Sequence, residues 1–190
     1  MKGIDISAWQ ENIDWQAVVD AGIEFVIVKL GENGRVDPMF VQHINDAVSK
    51  GLKIGVYLYS HATTVDEAIA EANFVDEQIK TYLDGKCPEI GIWFDVEDPG
   101  IETAGVDITA LCSEFINQLQ AAEYKYVGVY SSYNWLTNGN IDTSRLPDTP
   151  IWVAQYNYEC NYEGPNFKVW QYTDSLNIGG INFDGNEYYE

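Results

Sequence analysis

The 190-residue sequence has few basic residues and no long hydrophobic run. Ten Lys and Arg stand against 30 Asp and Glu, which gives a net charge of −20. This charge repels phosphate backbones and anionic lipid surfaces, so we expect neither nucleic acid nor a membrane as a partner. No apolar run approaches the roughly 18 residues that span a bilayer, and the N-terminus lacks a signal-peptide core. The sequence therefore predicts a soluble, unprocessed chain.

Cysteine and histidine are also scarce, which excludes several kinds of site. Cys87, Cys112 and Cys160 lie far apart without a CxxC pair, so zinc-ligand spacing is absent. His43 and His61 lie near no cysteine in the sequence, which disfavours a cysteine nucleophile. No serine stands in a G-x-S-x-G context, which disfavours a serine hydrolase. The acids form no EF-hand loop, and we expect neither a metal nor another cofactor.

The rest of the composition predicts one globular domain over residues 1–190. Sixteen Gly and 6 Pro are too few for a low-complexity segment, and 46% hydrophobic residues suffice for a real core. Helical periodicity predicts helices at 15–21, from Asp37-Pro38 to about 50, at 64–83 and at 108–122, with a short turn near 133–136. Apolar runs predict eight strands, at 3–7, 25–30, 53–59, 90–96, 126–130, 151–156, 168–172 and 180–184.

The order of these elements predicts an α/β barrel. The early strands are almost continuously apolar, as in FVIVKL and IGVYLY, which is typical of parallel strands that helices bury on both faces. Eight strands with about five helices indicate an irregular eight-stranded TIM-like barrel, (β/α)5β3, whose last helices are trimmed. The alternative is an open doubly wound sheet, which is disfavoured because no Gly-rich turn follows the first strand.

Two carboxylates, Asp95 and Glu97, end the fourth predicted strand, IGIWFDVED. Strand side chains alternate, so both face the same way, roughly 6–7 Å apart along the strand. Each charge raises the pKa of the other, and apolar walls from Trp93 and Phe94 add desolvation, which keeps a carboxylic acid protonated near neutral pH. The strand ends of a barrel carry its chemistry. A solvated loop is the alternative, since D-x-E is a short match in a chain with 30 acids.

Further acids and aromatic rings follow other predicted strand ends. Asp5 belongs to the first strand and Asp184 to the eighth, which closes the barrel beside the first. The accompanying rings are Tyr57, Tyr59, Tyr130, Trp152, Tyr156, Trp170 and Tyr172. Sugars stack on flat rings, while carboxylates protonate the leaving oxygen and stabilise an oxocarbenium-like state. The combination predicts a glycosidase cleft, although any single ring is more often a core residue.

Several separated motifs carry a family resemblance. They are GIDISAWQ, IGVYLYSHA with EAIAEANF, IWFDVED, VGVYSSYNWL, IWVAQYN, and VWQYTD followed by GGINFD. In this order, over nearly all of the chain, they resemble the family 25 glycoside hydrolases, the lysozyme or N-acetylmuramidase group of bacteria and their phages. The resemblance implies a barrel with eight strands and five helices. It also implies cleavage of the β-1,4 bond between N-acetylmuramic acid and N-acetylglucosamine in peptidoglycan.

Carried over by position, the resemblance makes Glu97 the general acid and Asp95 its partner two residues upstream. We predict substrate contacts for Asp5, Tyr57, Tyr59, Tyr130, Gln155, Tyr156, Trp170, Gln171, Asn182 and Asp184. The last strand departs from the family pattern Gly-x-Val-Asp-x-Asn, because Asn182 stands where an Asp is expected. Either Asp184 supplies the missing charge after a small shift, or the site works with an amide.

The favoured mechanism is substrate-assisted catalysis with retention. Glu97 protonates the glycosidic oxygen, and Asp95 orients the 2-acetamido group of the substrate. Inversion through a water held by Asp5 or Asp184 is the alternative. Two other functions stay open: a glycosidase acting on another N-acetylated glycan such as chitin, and a glycan-binding module without activity.

The expected partner is the glycan strand of peptidoglycan, and the chain is expected to be a monomer without a cell-wall-binding module. Its expected place of action is the bacterial cell wall. Because no signal peptide is present, we expect release by lysis or through a partner pore, or secretion as part of a longer protein.

Overall fold

The computed structural model describes residues 1–189 and shows a closed barrel. Its strands are β1 (Lys2–Ile6), β2 (Phe25–Glu32), β3 (Arg35–Val36), β4 (Lys53–Tyr59), β5 (Gly91–Asp95), β6 (Val127–Ser132), β7 (Ile151–Ala154), β8 (Phe167–Ile178) and β9 (Ile181–Tyr188). Its helices are α1 (Trp15–Asp20), α2 (Phe40–Ser49), α3 (Val65–Tyr82), α4 (Pro99–Thr103), α5 (Ile108–Ala121) and α6 (Tyr133–Thr137), with a 3₁₀ turn at Thr143–Arg145. The predicted α/β barrel is confirmed.

Strand pairing closes the barrel and sets the direction of its last strand. The order is β1-β9-β8-β7-β6-β5-β4-β2, and β2 pairs back to β1, while the short β3 only extends β2. Six neighbouring pairs are parallel: β1–β2, β2–β4, β4–β5, β5–β6, β6–β7 and β7–β8. The last strand, β9, runs antiparallel to both β8 and β1. The first and last strands are neighbours, as predicted, and Asp184 pairs with Asp5.

Side-chain alternation along the strands separates two cores. One fills the barrel and contains Phe25, Ile27, Ile90, Trp93, Tyr130, Trp152 and Val169. The other lies between the barrel and its helices and takes the alternate positions, such as Val26, Ile92 and Phe94. Gly128 faces the interior, where a Cβ would overlap the Trp93 ring, so a glycine is needed for that ring to lie across the barrel.

The helices mostly follow their predicted starts. A capping box opens α3: the Thr64 hydroxyl accepts the N–H of Glu67, and the Glu67 carboxylate accepts the N–H of Thr64. The predicted start of α2 at Asp37-Pro38 is wrong. The Asp37 carboxylate accepts the N–H of Met39 in a turn, and the helix begins only at Phe40.

Within residues 1–189, the elements differ from the prediction in number and in length. The short strand β3 is not among the predicted strands, and the predicted strand 151–156 ends at Ala154. There are six helices instead of about five, since the short Pro-Gly segment of α4 lacks a readable periodicity and the turn near 133–136 is the helix α6. The seventh predicted strand is longer because β8 continues past the barrel into a hairpin with β9. The eighth is longer because β9 continues to Tyr188, between β1 and β8. The fourth ends at Asp95, so Glu97 lies just past it. Within residues 1–189, no helix is both long and apolar enough to cross a bilayer.

Candidate active site

A cavity of about 190 Å³ lies at the carboxyl ends of the parallel strands. Its lining consists of Asp5, Ser7, Trp9, Lys29, Tyr57, Tyr59, Asp95, Glu97, Tyr130, Trp152, Gln171 and Asp184. Most of these positions face inward because of the alternation that places Trp93 and Trp152 inside the barrel. All four predicted rim acids therefore line one cavity, together with four of the seven predicted rings, Tyr57, Tyr59, Tyr130 and Trp152.

Asp95 and Glu97 both line this cavity, at different depths. Asp95 is the last residue of β5 and only 4% exposed, and its Oδ1 atom has no hydrogen-bond partner among the described residues. Burial, followed by the charge of Glu97, raises the pKa of Asp95 well above its usual value. Glu97 is half-buried, and burial followed by the charges of Asp184 and Asp98 raises its pKa as well. The arrangement keeps protons on carboxyl groups inside the cavity.

Asp5 and Asp184 form a second carboxyl pair on neighbouring strands. Asp5 is 5% exposed, and its Oδ2 atom accepts hydrogen bonds from Gln171 Nε2 at 2.9 Å and Asn186 Nδ2 at 2.7 Å. Burial and the charge of Asp184 raise the pKa of Asp5 well above its usual value, although both amides favour its ionised form. Burial also raises the pKa of Asp184, against a hydrogen bond with Asp5. Burial and mutual repulsion thus favour the protonated form of this pair.

Two chains of hydrogen-bonded side chains converge on Asp5. The Tyr130 hydroxyl donates to Gln171 Oε1 at 2.9 Å, and Gln171 in turn donates to Asp5. On the other side, Trp152 Nε1 donates to Asn186 Oδ1 at 2.8 Å, and Asn186 donates to Asp5. Because each donor in these chains has a partner, Asp5 is held in one orientation.

One basic side chain, Lys29, also lines the cavity. Its Nζ lies 3.2 Å from Glu32 Oε2 and 5.2 Å from the centroid of the Tyr59 ring. Its charge lowers the pKa values of Asp95 and Glu97, against the effect of burial. At the edge, His61 Nδ1 lies 3.2 Å from Asp98 Oδ2, the carboxylate that follows Glu97. Within residues 1–189, no group of three or more His, Cys, Asp or Glu is arranged to hold a metal ion.

Four residues predicted to contact substrate lie outside the cavity lining. Gln155 bonds through its side chain to Asn161 in the following loop. Tyr156 is 56% exposed at the rim, and its hydroxyl donates to Gln171. Trp170 lies on the opposite face of β8 from Gln171 and donates to the Gln155 carbonyl. Asn182 is exposed on the β8–β9 hairpin and accepts a hydrogen bond from Asn177.

The alternation of side chains along β9 determines whether Asn182 or Asp184 reaches the cavity. Asn182, Asp184 and Asn186 share one face, and β9 enters the barrel from the rim. Asn182 therefore lies beyond the rim, Asp184 at the cavity and Asn186 below it. The structure places Asp184, and not Asn182, in the lining of the cavity.

The sequence prediction missed Ser7, Trp9, Lys29 and Asn186. Lys29 carried a readable signal, since it is a charge near the end of the apolar strand FVIVKL, as Asp95 is in its own strand. Asn186 follows Asp184 by two residues and so shares its face. Ser7 and Trp9 belong to the loop after β1, for which periodicity predicts no direction, and Trp9 is 90% exposed.

Known proteins match this chain over most of its length. The family described as "Glycosyl hydrolases family 25" matches residues 4–181. The autolytic lysozyme of Clostridium acetobutylicum is 30% identical over 191 residues, which cover 95% of this chain and 53% of that protein. The modular autolysin LytC from Streptococcus pneumoniae has a TM-score of 0.87 at 29% identity, over 99% of this chain and 46% of LytC. This chain thus spans about half the length of each of these two relatives.

A bacterial lysozyme from Streptomyces coelicolor has the same fold over most of its chain. The TM-score is 0.76 at 23% identity, with coverage of 100% of this chain and 92% of that one. At this identity, the likeness concerns the barrel architecture.

Proposed function

Because this chain belongs to glycosyl hydrolase family 25, we propose that it cleaves the β-1,4 bond between N-acetylmuramic acid and N-acetylglucosamine in peptidoglycan. The observation that carries this proposal is the pairing of Asp95 and Glu97 in one cavity with aromatic walls. The C. acetobutylicum relative is named an autolytic lysozyme, and one LytC structure is described as a complex with a synthetic peptidoglycan ligand. Both names support a cell-wall glycan as the substrate.

Glu97 is the proposed general acid. Its carboxyl lies at the strand tip, half-buried, and burial with the charges of Asp184 and Asp98 raises its pKa. A raised pKa keeps the proton available near neutral pH for transfer to the glycosidic oxygen as the C–O bond breaks. General acid catalysis of this kind contributes about 10²- to 10⁴-fold to a rate.

Asp95 is the proposed assisting carboxyl, because its Oδ1 atom is buried without a partner among the described residues. That oxygen accepts a hydrogen bond from the substrate's acetamido N–H and so orients the acetamido oxygen towards the anomeric carbon. The acetamido oxygen then forms a bond to this carbon as the leaving sugar departs with the proton of Glu97. Water opens the cyclic intermediate and returns a proton to Glu97, and the configuration is retained.

Inversion remains the second proposed route, and it assigns a different role to the Asp5 and Asp184 pair. In that route, one of these carboxylates holds a water that attacks the anomeric carbon directly. The hydrogen bonds from Gln171 and Asn186 to Asp5 Oδ2 occupy that atom, which favours Asp184 as the group that contacts a water. The retaining route is favoured because Asp95 offers an unpaired oxygen beside Glu97.

The proposed substrate sets the place of action, which is the bacterial cell wall. We further propose that the chain acts as a monomer on glycan strands, and that it reaches the wall after lysis, through a partner pore or as part of a longer protein. These are proposals about the whole protein, since the chain covers about half of the length of its modular relatives.

Product analysis tests the activity and the stereochemistry together. Purified peptidoglycan is digested, and the new reducing ends are reduced with borohydride and identified by mass spectrometry. We expect muramitol ends, a β-anomer as the first product by proton NMR, and little release from chitin oligomers. Glucosaminitol ends, or a preference for chitin, would reject the proposed bond. A first product of α configuration would select the inverting route, and glycan binding without any turnover would indicate a binding module.

A further inference from the structure

A second pocket, of about 240 Å³, adjoins the active-site cavity. Lys29 lines both of them, so no wall thicker than one side chain separates the two. Asp37, in the second pocket, accepts the N–H of Ala8 at 3.1 Å, and Ala8 lies between two cavity residues, Ser7 and Trp9. The second pocket is therefore a direct neighbour of the active-site cavity.

The pocket offers free positive donors, although its formal charges cancel. Its two acids are engaged: Glu32 contacts Lys29 at 3.2 Å and His61 at 3.4 Å, and Asp37 accepts the N–H groups of Ala8 and Met39. The guanidinium of Arg35 has no hydrogen bond or ion pair with any of residues 1–189. Lys29 has three N–H donors and a single carboxylate partner. An anionic group is the ligand that these unused donors fit.

A tight hairpin holds Arg35 in place relative to Lys29. The turn between β2 and β3 contains Asn33 at φ 49° and Gly34 at φ 66°, the Asn-Gly pattern of a two-residue hairpin. A Cβ at Gly31 would overlap the backbone carbonyl of Arg35, so the two strands pack closely. Since the backbone is fixed, the conformational entropy lost when Arg35 binds a ligand is confined to its side chain.

We propose that this pocket binds a carboxylate of the peptide that branches from the muramic acid residue of the substrate. The inference rests on the proposed function, which places muramic acid in the cavity. The peptide leaves the sugar through its lactyl ether and carries free carboxylates a few residues out. A guanidinium binds such a carboxylate through paired N–H donors, and the Lys29 ammonium adds a second charge. The pocket thereby distinguishes peptide-bearing glycan from neutral polymers, in a chain that otherwise repels anions with a net charge of −20.

The test compares one soluble peptidoglycan oligomer in two forms. In the first form, its peptide carboxylates are free; in the second, they are converted to neutral methylamides by carbodiimide coupling. The measured quantity is the specificity ratio, kcat/KM for the free form divided by kcat/KM for the amide form. We expect Arg35→Gln to lower this ratio about three- to tenfold, the range of a partly exposed charged contact. Arg35→Lys, which keeps the charge but loses the planar fork, is expected to lie between.

The matched control is Lys125→Gln, which removes one positive charge from an exposed site outside both pockets. This control corrects for long-range repulsion, and its ratio is expected to equal that of the wild type. The proposal would be overturned if Arg35→Gln had the same specificity ratio as the wild type. It would also be overturned if Lys125→Gln lowered the specificity ratio as much as Arg35→Gln does.

Binding without turnover separates this proposal from the proposed function. Calorimetry with Glu97→Gln, alone and combined with Arg35→Gln, gives the corresponding ratio for binding. This Kd ratio is the Kd of the amide form divided by the Kd of the free form. If neither form is cleaved but Arg35→Gln still lowers the Kd ratio, the proposed reaction fails and the pocket stands. If both forms are cleaved and neither ratio responds to Arg35, the pocket fails and the reaction stands.

Discussion

Four carboxyl groups share one small cavity, and their surroundings give them different properties. Asp95 is more deeply buried than Glu97, and its burial raises its pKa well above the usual value. The sequence predicted that Asp95 raises the pKa of Glu97, but in the structure the charges that do so are those of Asp184 and Asp98.

We predict that Glu97→Gln lowers kcat by about 100-fold or more while the fold stays intact. The change removes the proton donor but keeps the volume of the half-buried side chain. Turnover of soluble peptidoglycan oligomers measures the effect, and thermal unfolding checks the fold. Glu77→Gln, on the exposed face of α3, is the matched control and should retain full activity. More than a tenth of wild-type activity in Glu97→Gln would reject Glu97 as the acid.

Asp184→Asn is predicted to lower the alkaline pKa of the pH profile of kcat/KM. Removing a negative charge near Glu97 lowers the pKa of the acid, so activity is lost at a lower pH. Asn182→Asp, beyond the rim on the hairpin, should leave the profile nearly unchanged. Both variants are assayed on one substrate at constant ionic strength. The reverse ranking would show that the family register, and not the cavity position, decides this site.

At the scale of elements, the direction of β9 determines which of its residues reach the cleft. In a parallel strand, the later residues lie at the catalytic rim, as Asp95 does in β5. In the antiparallel β9, the earlier residues lie there, so Asp184 is at the cavity and Asn186 is below it. One strand of opposite direction thus adds an acid and its amide support to the same site.

The capping box of α3 is expected to contribute measurably to stability. Thr64→Ala removes the hydroxyl that accepts the Glu67 N–H, which should lower the free energy of unfolding by about 0.5–2 kcal/mol. Thr64→Ser keeps the hydroxyl and is expected to stay close to the wild type. Urea unfolding followed by circular dichroism measures both variants. Equal stability of Thr64→Ala and Thr64→Ser would show that the helix start is held by packing alone.

At the scale of the whole molecule, the buried acids make the stability of the fold depend on pH. The pKa values of Asp5, Asp95, Glu97 and Asp184 are raised in the folded state, so the fold binds these protons more tightly than the unfolded chain does. The stability that they contribute is present below their unfolded pKa values and is lost as pH rises through the folded values.

We therefore expect the Tm to fall as pH rises above the ordinary carboxyl range, by about 2–4 °C for each kcal/mol of stability lost. Thermal scans in buffers of constant ionic strength measure this fall. Asp95→Asn removes one of the responsible groups and should flatten the curve. A Tm that rises with pH above that range would contradict the raised pKa values. Acids whose pKa is lowered, such as Glu32 and Asp107, act in the opposite direction, but their effect is complete at lower pH.

The net charge of −20 is expected to control the approach to an anionic cell wall. Repulsion between surfaces extends over a Debye length of about 8 Å at 0.15 M ionic strength, so added salt weakens it. Activity on whole walls should rise with moderate salt, while activity on short uncharged fragments should change little. A turbidity assay and a soluble-fragment assay across one salt series compare the two. Falling activity on whole walls would rule out repulsion as the limiting step.

The barrel could be predicted from the sequence because its physical basis is local. Apolar strands such as FVIVKL alternate with amphipathic helices, and that alternation leaves few architectures that bury both strand faces. The same local rule placed Asp95 and Glu97 on one face at a strand end, and the structure brings both to the cavity. Family membership was likewise readable, since its motifs are spread in order along the chain.

Tertiary structure alone decided which polar residues meet. The direction of β9 cannot be read from its own residues, because alternation is the same in both directions. The contacts of Asp5 with Gln171 and Asn186 join residues more than 160 positions apart, and the adjoining pocket depends on how the β2–β3 hairpin folds over Lys29. The burial of the cavity acids, which raises their pKa values, follows from this packing. The sequence by itself therefore determined the architecture and the shared face of Asp95 and Glu97, while the fold determined their surroundings, because desolvation and charge coupling act through space.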